Sequence, residues 1–271
     1  MAELRGEERW VAACMTAALN DSEVRQHDDG SAPGMHDLEI WRSNRRIGAV
    51  EVTAAADGES IELWKLVNGS DDRWIEPQLG GGWMVSVSPK ARAKRLRAEL
   101  PGLLAGLESA GLSEVDRRRE RMTPGINAAS DLGVISAHQG ASDYAGSIYV
   151  TIDLPAERSG GVVAQTGNGL ADWIGHWAAQ PEQLHNVEKL RKSSADWRHL
   201  FVLLPGFTTA PFAVSDLLMR AGAPSPVTPA TLPPGVTHVW AMSTWSSGDG
   251  FFWSTAEGWT RFAKVFEVED S

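Results

Sequence analysis

The amino-acid sequence predicts an α/β fold with a mixed central sheet flanked by helices, and three observations carry that expectation. Strand-like and helix-like runs alternate along the chain, the pattern of a sheet covered by helices. The stretches "HLFVLL" (199–204) and "THVWAM" (237–242) are apolar on both faces, as central strands buried between two helical layers are. The stretch "MHDLEIWRSNRRIGAVEVT" (35–53) holds two short apolar runs around a polar turn, which is the pattern of an antiparallel hairpin.

The elements follow from local chemistry. Residues 3–19 recur at helical spacing through Leu4, Trp10, Val11, Cys14 and Ala18, and Asn20 is a stop. An extended piece at 23–27 and the turn cluster "DDGSAPG" precede the hairpin strands 36–42 and 46–54. "DGESIELWKLVNG" is a helix begun by Asp57 and ended near Gly69. After "LGGG", the alternating "WMVSVS" is a strand, and 90–110 is a helix in which Pro101 predicts a kink or break. Residues 113–146 have few periodic apolar positions and read as a mobile stretch. "GSIYVTIDL" is a strand, "GLADWIGHWAAQ" a helix, and Pro181 sits at the first position of the helix "PEQLHNVEKLRKS". "APFAVSDLLMRAG" is an apolar helix closing on glycine, "APSPVTPATLPPG" an extended surface connection, and "GFFWST" a last strand before "GWTRFAKVFE".

Composition narrows the function classes. At 271 residues with 42% apolar content and 12 Trp, the chain can bury a substantial core. Its single cysteine, Cys14, excludes an intrachain disulfide framework and a four-cysteine zinc site, and suits a reducing cytoplasm. No apolar run approaches the roughly 20 residues that span a bilayer, and "MAELRGEERW" lacks the features of a signal peptide, so the expectation is a cytoplasmic protein without a membrane partner. A formal charge of −10 argues against clamping a long duplex, although "PKARAKRLR" (89–97) and "DRRRERM" (116–122) are locally basic.

The hairpin holds the residues that point to chemistry. Leu38 and Ile40 must share a face with Val50 and Val52, which requires an even index sum for opposed residues. A sum of 88, with a three-residue turn at Ser43, Asn44 and Arg45, pairs Leu38 with Val50 and sets Asp37 directly opposite Glu51. Opposed like charges repel by a few tenths to about 1 kcal/mol. Two compensations fit the residues: counter-charge from Arg42, Arg45 and Arg46 on a solvated face, or a hard divalent cation, Mg²⁺ or Mn²⁺, held by the carboxylates.

An acid on one strand, a turn, then Glu-x-Lys on the next strand, after a helix carrying an acid, is the pattern of the restriction-endonuclease-like superfamily, the PD-(D/E)XK nucleases. Asp37 and "EVT" (51–53) resemble it. The resemblance implies Asp37 and Glu51 as metal ligands, the Val52 carbonyl as a further ligand, and Glu7 or Glu8 as the helical acid. Thr53 departs from the motif, since it stands where the lysine belongs and can neither carry its charge nor act as a base. Lys189 is the candidate replacement: "HNVEKLRK" sets His185, Lys189 and Lys192 on one polar stripe while Leu184, Val187 and Leu190 face the core. On that view the chain is a single domain, 1–271, in which 57–146 is an insertion into a nuclease-like core formed by 3–56 and 147–265.

The implied function is hydrolysis of nucleic-acid phosphodiesters, DNA or RNA, with Asp37, Glu51, Thr53 and Lys189 at the catalytic position and Glu8 and Val52 completing the metal shell. The alternative is a catalytically degenerate module of the same fold that binds or regulates a partner. Composition does not fix an oligomeric state. His27, Asp28, Asp29, His36 and Asp37 crowd together as turn residues bonding their own backbone, or as further metal or base groups. The late aromatics Trp240, Trp245, Phe251, Phe252, Trp253 and Trp259 read as core, with base-stacking platforms as the other use.

Overall fold

A computed structural model describes residues 4–69, 74–118, 125–140, 142–164 and 166–265. Most of "DRRRERM" and the acidic tail "EVEDS" lie outside the described residues. In chain order the elements are α1 (Gly6–Ala18), β1 (Glu23–Gln26), β2 (Leu38–Arg42), β3 (Arg45–Ala54), α2 (Gly58–Asn68), β4 (Trp74–Ile75), β5 (Trp83–Val87), α3 (Ala93–Ser109), β6 (Glu114–Asp116), α4 (Ile126–Asp131) and β7 (Val134–Gln139). There follow β8 (Ser147–Ile152), α5 (Ala156–Ser159), α6 (Asn168–Ala178), α7 (Leu184–Lys192), β9 (Trp197–Leu204), α8 (Phe212–Met219), β10 (His238–Ser243), β11 (Gly250–Ser254) and β12 (Gly258–Phe262). The fold is mixed α/β, with mixed sheets flanked by helices.

Two compact units divide the chain, residues 1–56 with 160–271, and residues 57–159. The first holds a seven-stranded sheet, β1-β2-β3-β9-β10-β11-β12, in which β3, β9 and β10 run parallel and the other neighbours antiparallel. Leu200, Val202 and Leu204 of β9 enter the core shared with α6, α7 and α8, while Phe201 and Leu203 enter the core shared with α1. Apolar side chains on both faces of β9 and β10 are thus what a sheet between two helical layers requires. The proline-rich connection 223–235 is less superficial than its composition predicts: Ala223 and Ala230 are buried in this core, and a Cβ on Gly175 of α6 would lie 2.5 Å from Thr231 O.

The second unit holds a five-stranded sheet, β4-β8-β5-β7-β6. Its pairings correct two expectations. Ser147–Ile152 does not resume the first sheet: it pairs with β4 and β5, so the inserted unit runs to residue 159. Within 113–146, read from its few periodic apolar positions as mobile, the described residues include the paired strands β6 and β7, with Val115, Val134 and Ala137 buried. These strands are three and six residues long, too short for a helical period to detect. Pro101 is accommodated within the unbroken span of α3, where it is buried. Asp57 caps α2 by accepting from Ser60 N at 3.1 Å, and its other oxygen accepts from Arg158 at 2.8 Å.

The hairpin register is the fold's link to the site. Leu38 pairs with Val50, Glu39 with Ala49 and Ile40 with Gly48, an index sum of 88, whereas Trp41 pairs with Arg46 and Arg42 with Arg45, a sum of 87. The turn therefore has two residues, Ser43 (φ 48°) and Asn44 (φ 61°), and not three. Two left-handed residues give the turn whose twist matches that of the strands, and a bulge between Ile40 and Trp41 restores the even sum. Core parity wins over turn length: the bulge absorbs one residue so that Leu38, Ile40 and Val50 stay in the core.

Ser43→Gly relieves a left-handed serine and is expected to raise the unfolding free energy by up to about 1 kcal/mol, while Asn44→Val lowers it by at least as much. Urea unfolding of both variants checks the two-residue turn; a neutral Asn44→Val would contradict it.

Candidate active site

Glu51 lies on β3 beside β9, in register with Leu200, and is 2% exposed. Its odd-numbered neighbours Ala49 and Thr53 share its face, which is the face covered by α7. Asp37 immediately precedes β2 and is also buried, and its Oδ2 accepts from Val52 N at 2.7 Å. Across from them Lys189 of α7 donates from Nζ to Glu51 Oε1 at 2.7 Å. The carboxylate pair expected from the alternation is thus assembled with the lysine expected to replace Thr53.

Lys189 does not sit on a solvated stripe. Its side chain is 17% exposed, whereas Lys192 is exposed and pairs with Glu188, and Leu184, placed in the core by its spacing, is 59% exposed. The helix is rotated so that Asn186 and Lys189 form the row over β3 beside buried Val187 and Leu190. Asn186, which sequence reasoning missed, donates to Thr53 Oγ1 at 3.2 Å and to Gln183 Oε1 at 3.1 Å. No motif could have found it; only its spacing of three from Lys189 carries a signal. Thr53 therefore acts as a hydrogen-bond acceptor that fastens α7 to β3.

Of the two helical acids, Glu8 is buried and Glu7 exposed. Glu8 accepts from Arg5 N at 3.0 Å and from Arg5 Nε at 2.6 Å, which ties it into the capping box of α1. Its charge reaches Asp37, where it adds to the effect of burial in raising that carboxyl's pKa, against the Val52 amide and Lys189, which lower it. Burial and the Asp37 charge push Glu51 up to about 8 despite its bond to Lys189. Burial presses the Lys189 ammonium down, but Glu51 and Asp37 outweigh it and raise its pKa. Glu51 Oε2 is buried and has no hydrogen-bond partner among the described residues. That orphaned oxygen, beside Asp37 in a set of hard oxygen donors, fits a divalent cation held by Asp37 and Glu51.

The neighbouring loop partly follows the turn chemistry of its sequence. Asp28 Oδ1 accepts from Gly30 N at 2.9 Å and Asp29 Oδ1 from Ser31 N at 3.0 Å, as turn residues do. The two histidines do otherwise. His36 leaves the strand alternation and its ring stacks on His27 at 3.9 Å, where burial and His27 push its pKa down to about 4.

Among the late aromatics Trp240, Phe251, Phe252 and Trp253 are buried, and Trp245 is 57% exposed. A cavity of about 760 Å³ opens beside this group, lined by Trp197, His199, His238, Trp240 and Phe252, with Arg42 at its margin. In the second unit a smaller concavity of about 470 Å³ is bordered by Lys90, Arg92, Arg95 and Arg117. Comparison with protein-family models, curated proteins and solved structures finds no match. Among the described residues no helix is long and apolar enough to cross a membrane.

Because the folded state holds the Glu51 proton above the carboxyl's ordinary pKa of 4.5, stability is greatest below pH 4.5 as far as this group is concerned and declines as pH rises toward about 8. Glu51→Gln removes that dependence. Its stability relative to the parent is expected to grow by a few kcal/mol between pH 5 and pH 9, measured by urea unfolding in metal-free buffer; a constant difference across that range would show that Glu51 does not titrate this way.

Proposed function

We propose that the chain is a divalent-metal-dependent phosphodiesterase acting on nucleic acid, a nuclease of the restriction-endonuclease-like kind whose motif lysine has moved from the strand to α7. The observation that carries the reading is the contact of Lys189 Nζ with Glu51 Oε1 at 2.7 Å, beside Asp37 and with the second Glu51 oxygen buried and unpartnered among the described residues. The order of an α1 helix, an antiparallel hairpin, and a helix leading to the parallel strand β9 supports it. Asp37 and Glu51 would hold Mg²⁺ or Mn²⁺, with Glu8 and the Val52 carbonyl in the outer and inner shell respectively. A bound ion supplies Lewis-acid stabilisation of charge on phosphate oxygens.

The chain's own groups do the rest. Lys189, held charged by Glu51, places a positive group over the carboxylates and orients the nucleophile, while Asn186 and Thr53 fix the helix that carries it. The basic concavity of the second unit matches phosphate in charge, and the net charge of −10 favours a short or local contact over a long duplex. The single, buried Cys14 accords with a reducing cytoplasm.

A second reading has its own observation: Arg5 and Lys189 already neutralise Glu8 and Glu51, as a degenerate module that binds a partner without metal would require. Calorimetric titration separates the two. Mn²⁺ taken into the millimolar range is expected to bind the parent and to be lost in Asp37→Ala and Glu51→Ala; unchanged affinity in both variants, or none in the parent, favours the degenerate module.

Lys189→Met is expected to retain Mn²⁺ binding and to lower cleavage of single- and double-stranded substrates by roughly a hundredfold or more. Gel assays of DNA and RNA with Mg²⁺ check this, and full activity in the variant would remove Lys189 from the site.

A further inference from the structure

A second group of metal-ligating side chains lies beside the Asp37–Glu51 pair on the same hairpin, with His36 next to Asp37 in the chain, and has no part in the reading above. His27, His36 and Glu39 each offer a ligand atom, and these atoms lie within 4.8 Å of one another. Glu39 Oε1 is 3.2 Å from His27 Nδ1 and 3.8 Å from His36 Nε2. Two ligands about 2.1 Å from a tetrahedral ion are about 3.4 Å apart, so both separations are near coordination spacing.

The independent observation is at His36. Its side chain is 5% exposed, and Nε2 is buried with no hydrogen-bond partner among the described residues while it faces Glu39. A buried ring nitrogen left without a partner costs free energy unless something else takes its lone pair or proton. Glu39 is also oriented as a ligating carboxylate commonly is: Trp41 Nε1 donates to its Oε2 at 3.0 Å, which leaves Oε1 toward the histidines. Arg46 Nη1 donates to the same Oε1 at 2.9 Å, and its Nη2 donates to Ser193 O at 3.0 Å. The Arg46 side chain is 35% exposed, so an arriving cation can displace it toward solvent.

We propose that His27, His36 and Glu39 form a binding site for one borderline transition-metal dication of the Zn²⁺ or Co²⁺ kind, separate from the Asp37–Glu51 pair. Two imidazoles and one carboxylate select such ions over Mg²⁺, which prefers an all-oxygen shell. Three protein ligands leave a position open to a small molecule. Arg46 is the internal competitor, a fixed positive charge on the oxygen the metal needs.

The test is titration of the chelator-treated full chain with Co²⁺, read from its visible d–d absorption, which reports coordination number and nitrogen ligation without an activity assay. The parent is expected to bind one Co²⁺ in a low-coordinate site, displaced by Zn²⁺. Affinity falls at least tenfold in His27→Ala and in His36→Ala, rises several-fold in Arg46→Gln, and stays unchanged in Glu51→Gln. His27 is less buried, so His27→Ala carries the result should His36→Ala fail to fold. Absence of Co²⁺ bands in both the parent and Arg46→Gln overturns the proposal, as does parental affinity in His27→Ala. Loss of the bands in Glu51→Gln overturns it too, because the ion would then sit on the carboxylate pair.

Discussion

The burial of Glu51 on the covered face of the seven-stranded sheet is the constraint around which the first unit is arranged. A carboxylate 2% exposed, with Asp37 as a neighbour, is unfavourable in its charged form and must acquire a proton or a cation. Lys189 is the only cation that the structure shows bonded to it among the described residues, and it comes from a helix 138 residues away. Holding α7 at the height where Nζ reaches Oε1 in turn fixes the apolar contacts of Val187 and Leu190, and the Asn186–Thr53 bond locks the same helix at a second point. An ion pair in such a place adds little net stability, because desolvation of both charges offsets most of their attraction.

Much of this was legible in the chain. The alternation of Leu38, Ile40, Val50 and Val52 forces an even register, which puts Asp37 and Glu51 on one face, and the sum of 88 that the strands adopt at Leu38 and Val50 brings them to the same level. The turn itself is not legible there, because a two-residue turn with a bulge and a three-residue turn without one give the same parity, and only the left-handed conformations of Ser43 and Asn44 distinguish them. The double-sided apolar runs of β9 and β10 likewise announced their central position.

What was not legible depends on tertiary rotation. Helical periodicity gives the apolar stripe of α7 to within about one residue, and at that resolution Lys189 falls equally well at the solvent or at the sheet. Exposed Leu184 shows the rotation to be about one position away from the spacing. The end of the inserted unit is hidden in the chain for a related reason: an alternating strand such as Ser147–Ile152 specifies a half-buried face but not the sheet that supplies it. His36 escaped the strand pattern because β2 begins only at Leu38, so its ring was free to stack on His27.

The insertion between β3 and α6 also bears on the order of events during folding. The strand bearing Glu51 is synthesised 138 residues before the lysine that pairs with it. Over that interval the intervening chain, residues 57–159, can complete its own sheet and thereby shorten the loop that remains to be closed. Until α7 and β9 arrive, β3 exposes one unpaired edge, and Glu51 on it and Asp37 before β2 cannot yet be buried without cost. Those acids keep the nascent hairpin hydrated and disfavour its pairing with other chains, as charged residues on edge strands do. The same carboxylates that are expensive in the finished sheet are therefore protective while it is unfinished.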